Sequence, residues 1–268
     1  MLRSDPNQNP TKMENWVIIG EDIGYFISAW MEEGTMKRRT FVKGAAAALP
    51  ALAALGLPDL GAAEELRPIE LPKPEMDGGK PVAAALKERK TTRNIGPEPL
   101  AAQVLSNLLW AAFGVNRAEM GLMGKPGRTA PSASNSQEID LYVCLENGVY
   151  VYEALPHRLV PVAAGDFRAR AGRGSAAKAP VNLFYVVDLA KYIVGKGQPD
   201  PNIGDPEVQK SYYYTDTGFI AQNVYLSAAA QGLAAWFHNC DRTNTVKEFK
   251  LRPEQRVLFA QTVGYPAK

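Results

Sequence analysis

Residues Val181 to Asp188 read Val-Asn-Leu-Phe-Tyr-Val-Val-Asp, a nearly continuous apolar run without the polar alternation of a half-exposed strand. Such a strand has to be covered on both faces and belongs at the centre of a sheet. Val257 to Val263 is a second run of the same kind. Ile139 to Leu145 and Val149 to Tyr152, joined by Glu146-Asn147-Gly148, predict a hairpin with Asn-Gly at its turn. Between these strands lie helical patterns. Pro97 and Pro99 open one that carries Leu100, Val104, Leu105, Leu108, Leu109 and Ala112 at helical spacing and closes at Gly114. Asp216 to Gln231 predicts a longer one, lined by Phe219, Ile220, Val224 and Leu226, with Thr215 or Asp216 as its cap and Gly232 at its end. The order helix, helix, hairpin, strand, helix, strand lacks strict βαβ alternation. It predicts an α+β fold, with helices around a mixed sheet, rather than a doubly wound one.

Two short stretches carry the chemistry. Arg128-Thr-Ala-Pro-Ser-Ala-Ser-Asn-Ser-Gln137 is too small and polar to build a core, yet it runs straight into the strand at Ile139, where it can be held rigidly against a flat polar ligand. Alone it would read as a Ser-rich connector. Glu88-Arg-Lys-Thr-Thr-Arg93 follows the apolar helical run Val82 to Leu86 and precedes the Gly96-Pro97 break. A phosphate monoester wants guanidinium forks and hydroxyl donors converging within a few residues, and Arg89, Thr91 and Arg93 at spacing two can supply them. Alone, such a cluster reads as a solvated helix end. The two together point to a phosphorylated, planar cofactor.

On these residues the chain resembles the FMN-dependent nitroreductase family. Pro131, Ser132, Ala133, Asn135 and Gln137 match its loop along the isoalloxazine ring, and Arg89, Lys90, Thr91 and Arg93 fall on its phosphate-gripping segment. Asp216-x-Gly218, Gln222-Asn223 and Gly232-Leu233 are similar to its long helix, and Val263-Gly-Tyr-Pro266 to its close, so the likeness covers residues 81–268. The resemblance implies a three-layer fold with a mostly antiparallel sheet. It also implies a homodimer with FMN at the subunit boundary, and hydride transfer through flavin N5 between a donor and a nitro, quinone or similar substrate. Asn135 and Gln137 would then meet the polar ring edge. Asn239-Cys240 stands where the family commonly has a Glu-Gly pair near N5, and Lys268 is the candidate for a C-terminal phosphate contact. No side chain is assigned as catalytic acid or base, because the chemistry belongs to the flavin. Gly148-Val-Tyr-Val-Tyr152 with His157-Arg-Leu159 further resembles the branch of thiazole and oxazole dehydrogenases, the SagB type. Azoline oxidation in modified peptides is therefore an alternative, and a flavin-binding module without turnover is another.

The amino terminus predicts an address. Met36 to Lys43 is basic, Gly44 to Leu57 is apolar, and Gly61-Ala-Ala63 is small, the order of a secretory signal, and its paired arginines resemble a twin-arginine signal. Residues 36–63 are read as that signal, 64–80 as a Pro/Gly-rich linker, and 1–35 as an extension upstream of the true start at Met36. A periplasmic or otherwise exported protein follows. Its electron donor is left open, NAD(P)H applying only in the cytoplasm.

Composition excludes several classes. With 46% hydrophobic and 22% charged residues over 268, and a formal charge of +2, the chain is globular, and nucleic acid is not an expected partner. Cys144, Cys240, His157 and His238 are its only cysteines and histidines, too few for a Cys-rich zinc site or a disulfide framework. Gly172-Arg-Gly-Ser-Ala-Ala177 has the letters of a dinucleotide fingerprint but no strand before it. Gly121 to Gly127 has Pro126 where a phosphate loop needs Ser or Thr. His238 with Cys240 suggests a nucleophile pair without an oxyanion loop, and Tyr212-Tyr-Tyr214 reads as packing at a helix start or a stacking surface.

Overall fold

The computed structural model describes residues 66–268, except 78, 122, 123, 195–197 and 202. The proposed upstream extension and signal lie outside the described residues. The elements in chain order are β1 (Ile69–Glu70), α1 (Val82–Glu88), α2 (Ala102–Phe113), β2 (Val115–Met120), β3 (Pro126–Arg128), β4 (Ile139–Cys144), β5 (Gly148–Glu153), β6 (Arg158–Ala164) and β7 (Val181–Asp188). After them come β8 (Ile193–Val194), β9 (Gln198–Pro199), α3 (Pro206–Gln231), β10 (Ala234–His238), α4 (Arg242–Glu248) and β11 (Gln255–Gly264).

Seven strands form the main sheet in the order β1-β6-β5-β4-β7-β11-β10, and every pairing in it is antiparallel. As its apolar run requires, β7 sits inside the sheet with all eight residues buried. Leu183, Tyr185 and Val187 pack with Leu108 and Leu109 of α2 and Ile220 and Val224 of α3, while Phe184 and Val186 pack on the other face with Phe249, just after α4. Two covered faces make three layers. Full burial of one Leu or Val stabilises by about 1.5–3 kcal/mol, so this central strand anchors the whole body.

Several local expectations shift. The long helix α3 begins ten residues before the predicted start, at Pro206, with the Asp205 side chain accepting from the N–H groups of Glu207 and Val208. The Tyr212 to Tyr214 run is therefore helical, with Tyr213 buried and the other two exposed. Asp216 is no cap but a buried mid-helix carboxyl. Gly232 does end α3, in the left-handed conformation (φ 72°) that favours glycine. Gly114 closes α2 for another reason. Its backbone is extended, and a Cβ there would lie 2.4 Å from Trp110 Cδ1. The β4–β5 hairpin turns over Leu145 to Gly148 with Leu145 N–H donating to Gly148 O at 2.9 Å, and neither Asn147 nor Gly148 has positive φ, so the Asn-Gly turn does not form.

The expected linker is extended but is tied down. Ile69 pairs with Leu159, and Leu71 N–H donates to His157 O. Gln103, Ser106 and Asn107 share one face of α2 and bind Lys73 O, Pro72 O and Glu75 N–H at 2.9, 2.5 and 2.9 Å. His157 Nε2–H donates to Ser106 Oγ (2.7 Å) and its Nδ1 accepts from Tyr152 OH (2.8 Å), a neutral imidazole consistent with burial lowering its pKa. The folded body therefore includes residues from 66 onward, ahead of the expected boundary at 81.

Candidate functional site

The basic segment leaves α1 in extended backbone and runs beside β10, the edge strand of the sheet. Thr92 N–H donates to Ala235 O at 2.9 Å, and Ile95 bridges Pro266. Tyr225 of α3 organises it. Its hydroxyl accepts from Phe237 N–H at 2.8 Å and is hydrogen bonded to Thr91 Oγ1 at 3.1 Å, while the Arg89 guanidinium lies 5.6 Å from the centre of its ring. Arg93 lies 5.5 Å from the Trp236 ring, and its carbonyl accepts from the Ser175 hydroxyl. Among the described residues, neither arginine has a carboxylate within ion-pair distance. Two guanidiniums held on aromatic faces, with a hydroxyl between them, present unneutralised charge to an anion. Lys90 is set apart from them, lining with Thr92, Gly232 and Pro266 a small cleft of about 220 Å³. Lys268 follows Ala267, whose N–H donates to Asn94 O at 3.1 Å, so the chain end lies beside Arg93.

The second loop is wound tightly. Ser134, Asn135 and Gln137 have φ of 50°, 54° and 52°, a left-handed conformation that costs a non-glycine residue about 1–3 kcal/mol. Internal hydrogen bonds hold it there. Gln137 N–H donates to Ser132 Oγ at 3.0 Å, and Lys125 Nζ donates to Ser136 O. The Gln137 carboxamide accepts from Arg128 Nε (2.7 Å) and donates to Pro126 O (2.7 Å) and Asn135 Oδ1 (2.9 Å). The Gln137 side chain is therefore buried and bonded within the chain, as is the Asn135 carboxamide, which also donates to Lys125 O at 3.2 Å. Gln137 sets the orientation of Asn135. Pro131, Ser132 and Asn135 line a groove of about 440 Å³ with Arg117 and Arg128, and Ala133 gives its N–H to Asp216 Oδ2 at 2.9 Å.

The family model described as the nitroreductase family matches residues 86–265, a span that holds both segments. The chain belongs to the nitroreductase family. It is 26% identical over 185 residues to a protein of Methanocaldococcus jannaschii provisionally named a nitroreductase, covering 67% of this chain and 88% of the relative. A crystal structure from Ralstonia eutropha, also provisionally named a nitroreductase, is 32% identical over 78% of this chain and 92% of its own, with a TM-score of 0.66. The Escherichia coli microcin synthetase McbBCD complex with truncated pro-MccB17 bound contains a chain of the same fold, 19% identical, covering 68% of this chain and 70% of that one at a TM-score of 0.54.

Within one chain of this nitroreductase-family member the loop enters the middle strand β4 at one end, while the basic segment runs beside the edge strand β10 towards the other end. Trp236, under Arg93, aligns through Thr262 with Asn182 at one end of β7, whereas Ile139, just after the loop, aligns with Val187 near the other. That is five residues, about 17 Å along the strand, and three strand intervals, about 14 Å across. On α3, Asp216 at the loop and Tyr225 at the basic segment are nine residues apart, about 14 Å of helix.

Three features of this family member were not visible in its motifs. Arg128 is half-buried, stacks 4.8 Å from the centre of the Phe113 ring and has no ion-pair partner among the described residues, so burial lowers its pKa and a positive charge stands behind the loop. Glu138 and Asp216 are buried and face each other beneath the same loop. Burial first, and the Glu138 carboxylate second, push the Asp216 carboxyl up to about 8. The expected N5 pair lies on the turn after β10, where Asn239 is exposed and its carbonyl accepts from His238 Nδ1 at 2.8 Å. Burial raises the Cys240 thiol to about 11, and both His238 nitrogens are already engaged, Nε2 with Thr262 Oγ1 at 2.7 Å. A thiol held neutral beside an occupied imidazole is not an activated nucleophile. The Gly172 to Ala177 segment is a turn rather than a nucleotide loop, and it contributes Ser175 to the Arg93 carbonyl.

Proposed function

We propose that this chain is an FMN-dependent oxidoreductase acting on a small organic substrate, and that its flavin site is completed by a second copy of the chain. The observation that carries this reading is the pair of arginines, Arg89 and Arg93, held on Tyr225 and Trp236 with no carboxylate among the described residues within ion-pair distance. Their charge, with the Thr91 hydroxyl between them and Lys268 nearby, fits a phosphate dianion. The strained loop and its groove fit a planar polar ring. FMN, when bound, supplies hydride acceptance and donation at N5.

The chain's own residues bind and orient. Asn135, fixed by Gln137, meets the ring edge, and Pro131, Ser132 and Ala133 bound its plane. Arg128 favours negative charge on whatever the loop holds, and the Asn239-Cys240 backbone borders the reacting edge. Because the basic segment at edge strand β10 and the loop at the far end of β4 are three strands and about five residues apart within one chain, a homodimer in which the loop of one copy meets the arginines of the other fits this separation. No side chain is assigned a proton-transfer role. The likeness to the microcin synthetase chain supports the shared fold, and azoline oxidation is the second reading. The hairpin residues behind that reading, Tyr152 and His157, are bonded to each other and to the strap at Pro72 through Ser106. Export through a twin-arginine signal at residues 36–63 is proposed with it, since that route carries folded, cofactor-loaded proteins. The test is purification of the full chain: a yellow protein with one FMN per chain supports the reading, and a colourless protein that does not take up added FMN refutes it.

A further inference from the structure

Below the loop, two acidic side chains meet in the dry interior. Glu138 is fully buried and Asp216 is 2% exposed. Glu138 Oε2 accepts from the Ser136 hydroxyl at 2.6 Å, and Asp216 Oδ2 accepts from Ala133 N–H at 2.9 Å, so each carboxyl holds one end of the loop's short helical turn. Glu138 Oε1 is buried and accepts no well-formed hydrogen bond among the described residues. The Asp216 carboxyl and the Tyr192 phenol are the groups set against the Glu138 side chain. A buried acceptor without a donor is costly, and two ionised carboxylates in contact are costlier still. A single proton between them removes both penalties, as in other carboxyl pairs that cannot both ionise.

We propose that Asp216 and Glu138 form a proton-sharing clasp that fixes the loop on α3, so that the loop keeps its ligand-binding shape only while one proton lies between the two carboxyls. The surroundings decide where the charge stays. Lys125, bound to Ser136 O, and Lys191, bound to Gln137 O at 3.1 Å and to Asp140 at 2.5 Å, place two cations on the Glu138 side. Tyr192, on the turn after β7, faces the pair as a neutral phenol held protonated by burial. Asp216 is therefore the side that holds the proton. When that proton is lost, the part that yields is the loop, because Asp216 is fixed within a 26-residue helix while the loop holds three left-handed residues under strain. The folded chain binds a proton that the unfolded chain releases above about pH 4, so stability from this pair is greatest below that pH and falls as pH rises towards 8.

The loop's role in binding FMN rests on the function proposed above, but the proton itself does not. Asp216→Asn is the discriminating variant, since its carbonyl can still accept from Ala133 while its NH₂ donates to Glu138 Oε1 as the shared proton would. In the full-length protein, infrared spectra at pH 7 should show the carbonyl stretch of a buried protonated acid, which disappears in Asp216→Asn and disappears in the wild type by pH 10. FMN affinity of the wild type should fall by about tenfold or more between pH 7 and 9.5, while Asp216→Asn stays within about threefold of the wild-type value and flat, and Asp216→Ala is weak throughout. Absence of the protonated-acid band at pH 7, or an Asp216→Asn profile that falls like the wild type, overturns the clasp. If the wild type takes up no FMN while the band is present and vanishes in Asp216→Asn, the flavin reading fails and the clasp stands.

Discussion

Replacing Tyr225 by Phe deletes one oxygen and leaves the ring on which Arg89 stacks. That oxygen accepts from Phe237 N–H at 2.8 Å on the outer side of edge strand β10 and meets Thr91 Oγ1 at 3.1 Å. The lost hydrogen bonds contribute about 1 kcal/mol each, and an N–H left without an acceptor adds about 1–3 kcal/mol where water cannot reach it. Phe237 is half-buried, which puts the expected cost at about 2–3 kcal/mol. For a folded body of this size, about 2–4 °C of melting temperature goes with each kcal/mol, so Tyr225→Phe should melt about 5–10 °C lower. The same loosening of residues 89–93 opposes phosphate binding, and FMN affinity should weaken by about 10–30-fold. Differential scanning calorimetry and flavin fluorescence titration read the two effects. A melting temperature and an FMN affinity both unchanged from wild type would refute the role given to this hydroxyl.

Arg93→Ala removes a guanidinium that has no ion-pair partner among the described residues, so it should weaken FMN binding by about 10–100-fold with little loss of stability; calorimetric titration and thermal melting together check it. Gly264→Ala places a Cβ 2.7 Å from Ile95 Cγ2 and 2.8 Å from Pro180 Cδ, and should destabilise by about 1–3 kcal/mol in a urea titration. With its thiol raised from 9.0 to about 11, Cys240 should alkylate about a hundredfold more slowly at pH 8 than an ordinary cysteine, and faster as the pH rises; a fast reaction at pH 8 contradicts the assigned environment.

Legibility in the sequence followed the range of the interactions. The unbroken apolar runs in β7 and β11 dictate burial on two faces, and the helical spacing in α2 dictates which side meets the sheet. The start of α3 was hidden because Glu207 to Thr215 is mostly polar or exposed and carries little periodic signal, although Asp205-Pro206 is a recognisable cap and first turn. Strand β10 is five residues directly after a helix, and β6 contains Pro161, so neither reads as a strand alone. Arg89, Thr91 and Arg93 stand out in the sequence because a basic cluster with a hydroxyl is a local pattern. The side chains that aim them, Tyr225, Trp236 and Ser175, come from 82 to 143 positions away and from three different elements. The inward turn of the Gln137 carboxamide is not legible, because the left-handed backbone that produces it leaves no compositional trace. Asp216 read as a cap because an isolated Asp before an apolar helix usually is one. Only the fold shows that it faces Glu138.

The central claim is a flavin site shared between two copies of the chain, and mixing two inactive variants tests it most directly. Arg93→Ala and Asn135→Ala proteins, each weak in FMN binding, are unfolded together, refolded as mixed dimers and titrated with FMN. If the arginines of one copy meet the loop of the other, each mixed dimer regains one intact site and binds one FMN with wild-type affinity. If both segments serve the same copy, every site carries one substitution, no tight binding returns, and the shared site is contradicted.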